Sequence, residues 1–240
     1  MSDSLERFAR AVQRDDDAID LARAALLIGE LDDARLDVDR YLRRIDELAA
    51  RAAERHAHLG DVPWSGPRAI AGALFTELGF RGNSADYYDP DNSFLHRVLD
   101  RRTGIPITLS VLYMEVARRI DVVALGLGFP GHFLVRVESS PRDLILDPFH
   151  GGAELDEPAL TALLQRMTGP DAKLEPSMLA PLPKQKILTR VLLNLAGIYG
   201  QRGDLFRSLE VLERLQVLDV GNPRIAKDLE ALRDRVDGLN

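Results

Sequence analysis

The feature that most restricts the fold of this chain is a change of period in its middle third. The run ITLSVLYMEVARRI places Leu109, Leu112, Tyr113 and Val116 at three- and four-residue spacing, the signature of a helix, and its apolar character predicts deep burial. Pro106 suits the first turn of that helix, where its missing N–H is not needed. From His132 to Glu138 the period drops to two, with Phe133, Val135 and Val137 on one face and His132, Leu134 and Arg136 on the other. Leu144 to Leu146 predicts a second, shorter strand ending at Asp147-Pro148, and Val122 to Leu127 a third. A helix followed by consecutive strands on short links implies an antiparallel sheet and an α+β domain.

The flanks are helical. From Leu5 to about Leu59 the apolar residues Leu21, Ala24, Ala25, Leu26, Ile28 and Leu31, then Tyr41, Leu42, Ile45 and Leu48, recur at helical spacing, which predicts surface helices with one buried stripe. This gives an amino-terminal helical region over 1–60, a core over 61–168 and a helical tail over 184–240, with the Pro-rich GPDAKLEPSMLAPLP before the tail. Within the core, Ile70 to Leu78 reads as a short helix, FLHRVLDRR as another, and Asp156 to Met167 as a third. The intervening GFRGNSADYYDPDNS is a long loop of the kind that often carries function. Its Asp86, Asp89 and Asp91 lack the glycine and glutamate offsets of a calcium loop. Arg101, Arg102, Arg118 and Arg119 read as solvated helix faces. His56 and His58, two apart on one helix, point to different sides, unlike a metal pair.

Composition bounds the chemistry. The 240 residues contain no cysteine, which excludes disulfides, thiolate metal sites and a cysteine nucleophile. The net charge of −7, from 31 basic and 38 acidic residues, argues against a nucleic-acid partner. The start MSDSLERFARAVQRDDD is polar, and no apolar run approaches the roughly 20 residues that span a bilayer. The expectation is a cytoplasmic protein with no membrane association and no cofactor.

Three separated pieces, NSFLHRVLDRRTGIPITLSVLYMEVARRI, GFPGHFLVRV and LILDPFHGG, occur in an order and spacing that resembles the bacterial transglutaminase-like family of SirB type. The resemblance implies a transglutaminase-like (papain-like) core. Such cores use a cysteine at the start of a buried helix, a histidine that activates it and an aspartate that orients the histidine. By similarity His132 corresponds to the histidine and Asp147 to the aspartate, and the nucleophile position falls near Ile105 to Thr108. No cysteine stands there, so a classical transglutaminase or cysteine-protease activity is not expected. Thr108 and Ser110 are the nearest hydroxyls, with Ser110 about one turn too far into the helix. His132 and Asp147 can equally be a structural dyad or a binding element, and Asp147 before Pro148 can be a turn residue. His150 could join them around a metal, since His and carboxylate suit zinc or iron, but nothing in the sequence completes a ligand set and no metal is expected.

In the tail, LLNLAGIYGQRGDLFRSLEVLERLQVLDVGNP resembles a tetratricopeptide repeat, with Tyr199, Ser208, Leu212 and Leu215 at the packing offsets and IAKDLEALRDRV as a further helix. One repeat cannot stand alone, so it must dock on the core, leaving a surface suited to a protein or peptide partner. Two functions follow from these readings. One is a non-catalytic scaffold or regulatory binding module. The other is a hydrolase or acyltransferase using Ser110 or Thr108 with His132 and Asp147. A hydroxyl within hydrogen-bond reach of the His132 ring separates them.

Overall fold

The computed structural model describes residues 2–60 and 62–238. Three helices open the chain because each has an oxygen at its start to satisfy a first-turn amide: Ser2 accepts from Leu5 N–H, Asp20 from Arg23 N–H and Asp37 from Arg40 N–H. They are α1 (Asp3–Val12), α2 (Leu21–Ile28) and α3 (Val38–Leu59). The expectation of surface helices with one stripe holds for α1 and α3 and fails for α2. Every residue of α2 except Arg23 is buried, because it lies beneath the other helices of the region and beneath the tail. Its alanines allow that close approach on several sides.

Next come α4 (Ser65–Ala71), which continues into a π-helical turn over Gly72–Glu77, and the two-residue strand β1 (Arg81–Gly82). Gly72 leaves room for the Arg55 guanidinium of α3: a Cβ would sit 2.2 Å from its Nε. Then follow α5 (Leu95–Arg101), β2 (Thr103–Gly104) and the central helix α6 (Pro106–Arg119). As its composition predicted, α6 is buried over most of its length, and the Tyr113 hydroxyl donates to the Pro67 carbonyl. Four strands follow: β3 (Ala124–Leu127), β4 (Leu134–Val137), β5 (Leu144–Asp147) and β6 (Ala153–Glu154). They form one antiparallel sheet in sequence order, with Val135 opposite Leu146, and the predicted third strand is β3. Beyond the sheet lie α7 (Glu157–Thr168), then α8 (Lys184–Arg202), α9 (Leu205–Leu218) and α10 (Pro223–Asp237).

The sheet separates two apolar layers, as alternation demands. Phe133, Val135, Val137, Leu144 and Leu146 face the large helical core, whereas Leu134 and Ile145 face a smaller cluster with Leu160, Leu163 and Leu164 of α7. The large core is continuous from Phe8 of α1 through Leu112 of α6 to Leu192 of α8 and Leu215 of α9. No helix among the described residues is long and apolar enough to cross a membrane.

The four arginines are not uniformly solvated. Arg118 is exposed, but Arg119 is largely buried, pairing with Asp46 at 2.5 Å and with the buried Glu115 at 2.7 Å. Arg101 binds Asp89 and Asp91 at 2.6 and 2.8 Å, so two carboxylates of the acidic loop are neutralised by a side chain from α5. Arg102 takes a left-handed φ of 55° at the end of α5 and donates to the Leu78 carbonyl.

Candidate functional site

The site lies where the ends of several elements converge. The parallel pair β1–β2 sets Gly82 beside Gly104, and a Cβ on Gly82 would fall 2.5 Å from the Phe149 ring. That contact brings the start of α6 next to the turn Pro148–His150 that follows β5. The Phe149 ring in turn stands edge-on to His132, with centroids 6.0 Å apart.

His132 does not sit in a strand. It occupies the tight turn before β4, its amide donating to the Phe129 carbonyl, because Pro130 and Gly131 (φ +66°) break the alternating run first. His132 is 4% exposed and Asp147 2% exposed, and Nε2 of His132 lies 2.9 Å from Oδ2 of Asp147. Asp147 is also a turn residue: its Oδ1 accepts from the amides of Phe149 and His150 at 3.0 and 3.3 Å. The half-exposed His150 closes the cluster, its Nδ1 2.7 Å from the same Oδ2. Burial works to raise the Asp147 carboxyl, but the two imidazoles outweigh it and hold the group below its usual range. With Asp147 ionised, each imidazole donates its N–H to the carboxylate, which assigns the tautomers.

Neither expected hydroxyl reaches His132. Thr108 Oγ1 donates to the Asn92 carbonyl at 2.7 Å and accepts from the Ile105 amide at 3.2 Å, so it ties the helix start to the preceding loop. Ser110 Oγ donates to the Pro106 carbonyl one turn back, at 2.7 Å. Gly104 makes room for this arrangement, since a Cβ there would lie 2.9 Å from Thr108 Oγ1.

Three contributors escape sequence reasoning. Arg190 of α8 donates to the His132 carbonyl at 2.9 Å and lies over the Phe133 ring, so the tail supports the site directly. Burial pushes its guanidinium below the ordinary arginine value. Tyr87, from the long loop, packs against Phe149. Ser93 is buried with an unpartnered Oγ, and lines with Ile105 and Tyr87 a cavity of about 100 Å³ against α8. No local pattern announces any of them, because their partners are distant in sequence.

These elements belong to a known architecture. The family model of the transglutaminase-like superfamily matches residues 39–193, from the start of α3 into α8. The chain belongs to that superfamily. It also belongs to a bacterial family within it, named UPF0162. The relative from Xylella fastidiosa is 35% identical over 224 residues, covering 92% of this chain and 77% of its own. The one from Vibrio cholerae is 27% identical over 229 residues, covering 92% and 79%. A shorter segment, 153 residues, is 34% identical to mouse F-box only protein 21, covering 60% of this chain and 23% of that protein. No solved structure matches. Among the described residues, His132, Asp147 and His150 are the one group of three potential metal ligands, with donor atoms within 4.8 Å of one another.

Proposed function

We propose that this transglutaminase-like domain, of the SirB type, is a non-catalytic protein- or peptide-binding module. The observation that carries the reading is the condition of the nucleophile seat. No cysteine is present, and the hydroxyls of Thr108 and Ser110 are both committed to backbone carbonyls. An alcohol held this way has no base beside it and its proton is already placed, so the acyl chemistry of the superfamily lacks its first step. Binding is supported by the tail. Helices α8, α9 and α10 pack in succession around a groove of about 390 Å³, lined by Ala196, Gly200, Ser208, Leu212 and Leu232, which supports the tetratricopeptide-like reading of the tail. Small residues at Ala196 and Gly200 leave that groove open.

The alternative hydrolase reading is favoured by one observation, the unpartnered hydroxyl of Ser93 near the start of α6. It makes no hydrogen bond to His132, which disfavours it as a nucleophile. A panel of ester and amide substrates, run on the wild-type chain and on Ser93→Ala and His132→Ala, decides the catalytic question. No turnover is expected. Turnover that disappears in both variants while their melting temperatures hold overturns the reading. Binding is checked by panning a random peptide library against the wild-type chain and Ser208→Trp. Peptides enriched by the first and lost with the second support the groove. No enrichment, or equal enrichment, rejects it.

A further inference from the structure

Asp147 receives more than an orienting carboxylate needs. One imidazole and two amides would satisfy it, yet a second imidazole, His150, aims its Nδ1 at the oxygen that already holds His132. We propose that His132, Asp147 and His150 bind a divalent transition-metal ion of the zinc class, with a fourth position open to water or a ligand.

The donor set is the kind that zinc, cobalt or ferrous iron prefers over magnesium or calcium, being two imidazoles and one carboxylate. The spacing is close to what is required. Ligand atoms on a tetrahedral zinc with bonds of about 2.0–2.1 Å stand roughly 3.3 Å apart. The present separations from Asp147 Oδ2 are 2.9 and 2.7 Å, and all three donors fall within 4.8 Å. The two pairs that include Asp147 Oδ2 must open by about half an ångström, and the two imidazole donors, within 4.8 Å of each other, must settle at the same spacing of roughly 3.3 Å. His150 can supply that movement, because its side chain is 55% exposed and sits on a short turn. The other two ligands are held. The Phe149 and His150 amides grip Asp147 Oδ1 and leave Oδ2 to the ion. His132 is buried, with its carbonyl bound by Arg190. Binding moves the N–H that each imidazole now donates to Asp147 onto its other ring nitrogen, which frees Nε2 of His132 and Nδ1 of His150 for the ion. The exposed edge of His150 is the entry path.

The inference is independent of the peptide-binding reading, since it concerns the turn after β5 and not the groove of the tail. It is tested on the full chain by titration calorimetry with zinc chloride and by the visible spectrum after adding cobalt(II). One equivalent should bind, with a tetrahedral-type cobalt spectrum. His150→Ala, which alters an exposed ring, should weaken zinc by more than the roughly 10–100-fold typical of losing an outer-shell partner. Asp147→Asn should abolish binding. His58→Ala, an exposed histidine elsewhere, should bind like the wild type. Absence of stoichiometric binding in the wild-type chain overturns the proposal. So does unchanged affinity in His150→Ala, which needs no refolding of the core to interpret.

Discussion

Replacing Thr108 by valine tests whether the hydroxyl at the start of α6 is a fastener or a reagent. Valine keeps the shape and β-branching of threonine, so no cavity opens and the helix-start geometry is retained. What disappears is one short donated bond to Asn92 O, 2.7 Å, and one accepted bond from Ile105 N–H, 3.2 Å, in a side chain that is 2% exposed. The Asn92 carbonyl keeps a second partner, the Ile105 amide at 3.4 Å, and the Ile105 amide keeps that same long bond. Neither group is wholly orphaned, but both are left poorly satisfied in a dry environment. A buried group left unsatisfied costs about 1–3 kcal/mol, and two partly satisfied groups together should cost about 2–4 kcal/mol. For a chain of this size each kcal/mol lowers the melting temperature by about 2–4 °C, giving a fall of roughly 5–15 °C. Thr108→Ser retains the hydroxyl and loses one methyl, so it should recover most of that, leaving a deficit of about 1 kcal/mol. Differential scanning calorimetry on the three proteins is sufficient. A Thr108→Val protein that melts with the wild type would show that the hydroxyl does not hold the helix start, and would return it to the list of candidate nucleophiles.

Deleting 184–240 should leave an aggregating product, because Ile187, Leu188, Val191, Leu192 and Leu195 are buried in the common core and their departure uncovers its other half; a soluble truncation with an unchanged melting temperature would refute this. Gly29→Ala should destabilise by about 1–3 kcal/mol despite its better helix propensity, since the new Cβ would meet Nδ1 of the buried His96 at 2.4 Å; chemical denaturation checks it, and a neutral result would mean His96 can move. Burial holds His96 below its ordinary 6.5 and outweighs the opposing hydrogen bond and charge of Asp32, with Arg97 reinforcing it, and its Nδ1 has no partner for a second proton. The unfolded chain therefore binds a proton that the folded chain resists, so stability falls as pH drops below about 6.5 and levels off once the folded state is protonated. Melts of wild type and His96→Gln across pH 5–8 should show a shallower decline in the variant, and equal slopes would contradict the assignment.

The core layers were legible because burial on two sides writes itself into local periods. Leu109, Leu112, Tyr113 and Val116 marked α6, and the alternation of Phe133, Val135 and Val137 marked the sheet face. The nearness of His132 and Asp147 was legible only through the resemblance, since no period links a turn before β4 to the end of β5. Two things stayed hidden. His132 was read one element too far into the strand, because alternation continues by coincidence through a turn that Pro130 and Gly131 impose. The fates of Thr108, Ser110 and Arg190 depend on which distant carbonyl each finds, and composition carries no record of that. The full burial of α2 was missed for a related reason: a helix enclosed on all sides looks like one with a wide stripe until its neighbours are known.

The packing of α1 against α9 has a consequence for how the protein is made. Phe8 and Val12 share a core with Val211 and Leu215, and Ser4 accepts from the buried Arg214. During synthesis α2 can cover part of the apolar side of α1 early, but the part that meets α9 must wait until some 200 further residues have been polymerised, which at 5–20 residues per second takes roughly 10–40 s. Over that interval α1 is only partly covered. Contacts this distant in sequence also slow the final docking step, because the loop they close is long. A pulse-labelled chain should therefore become fully protease-resistant at α1 only after α9 has emerged.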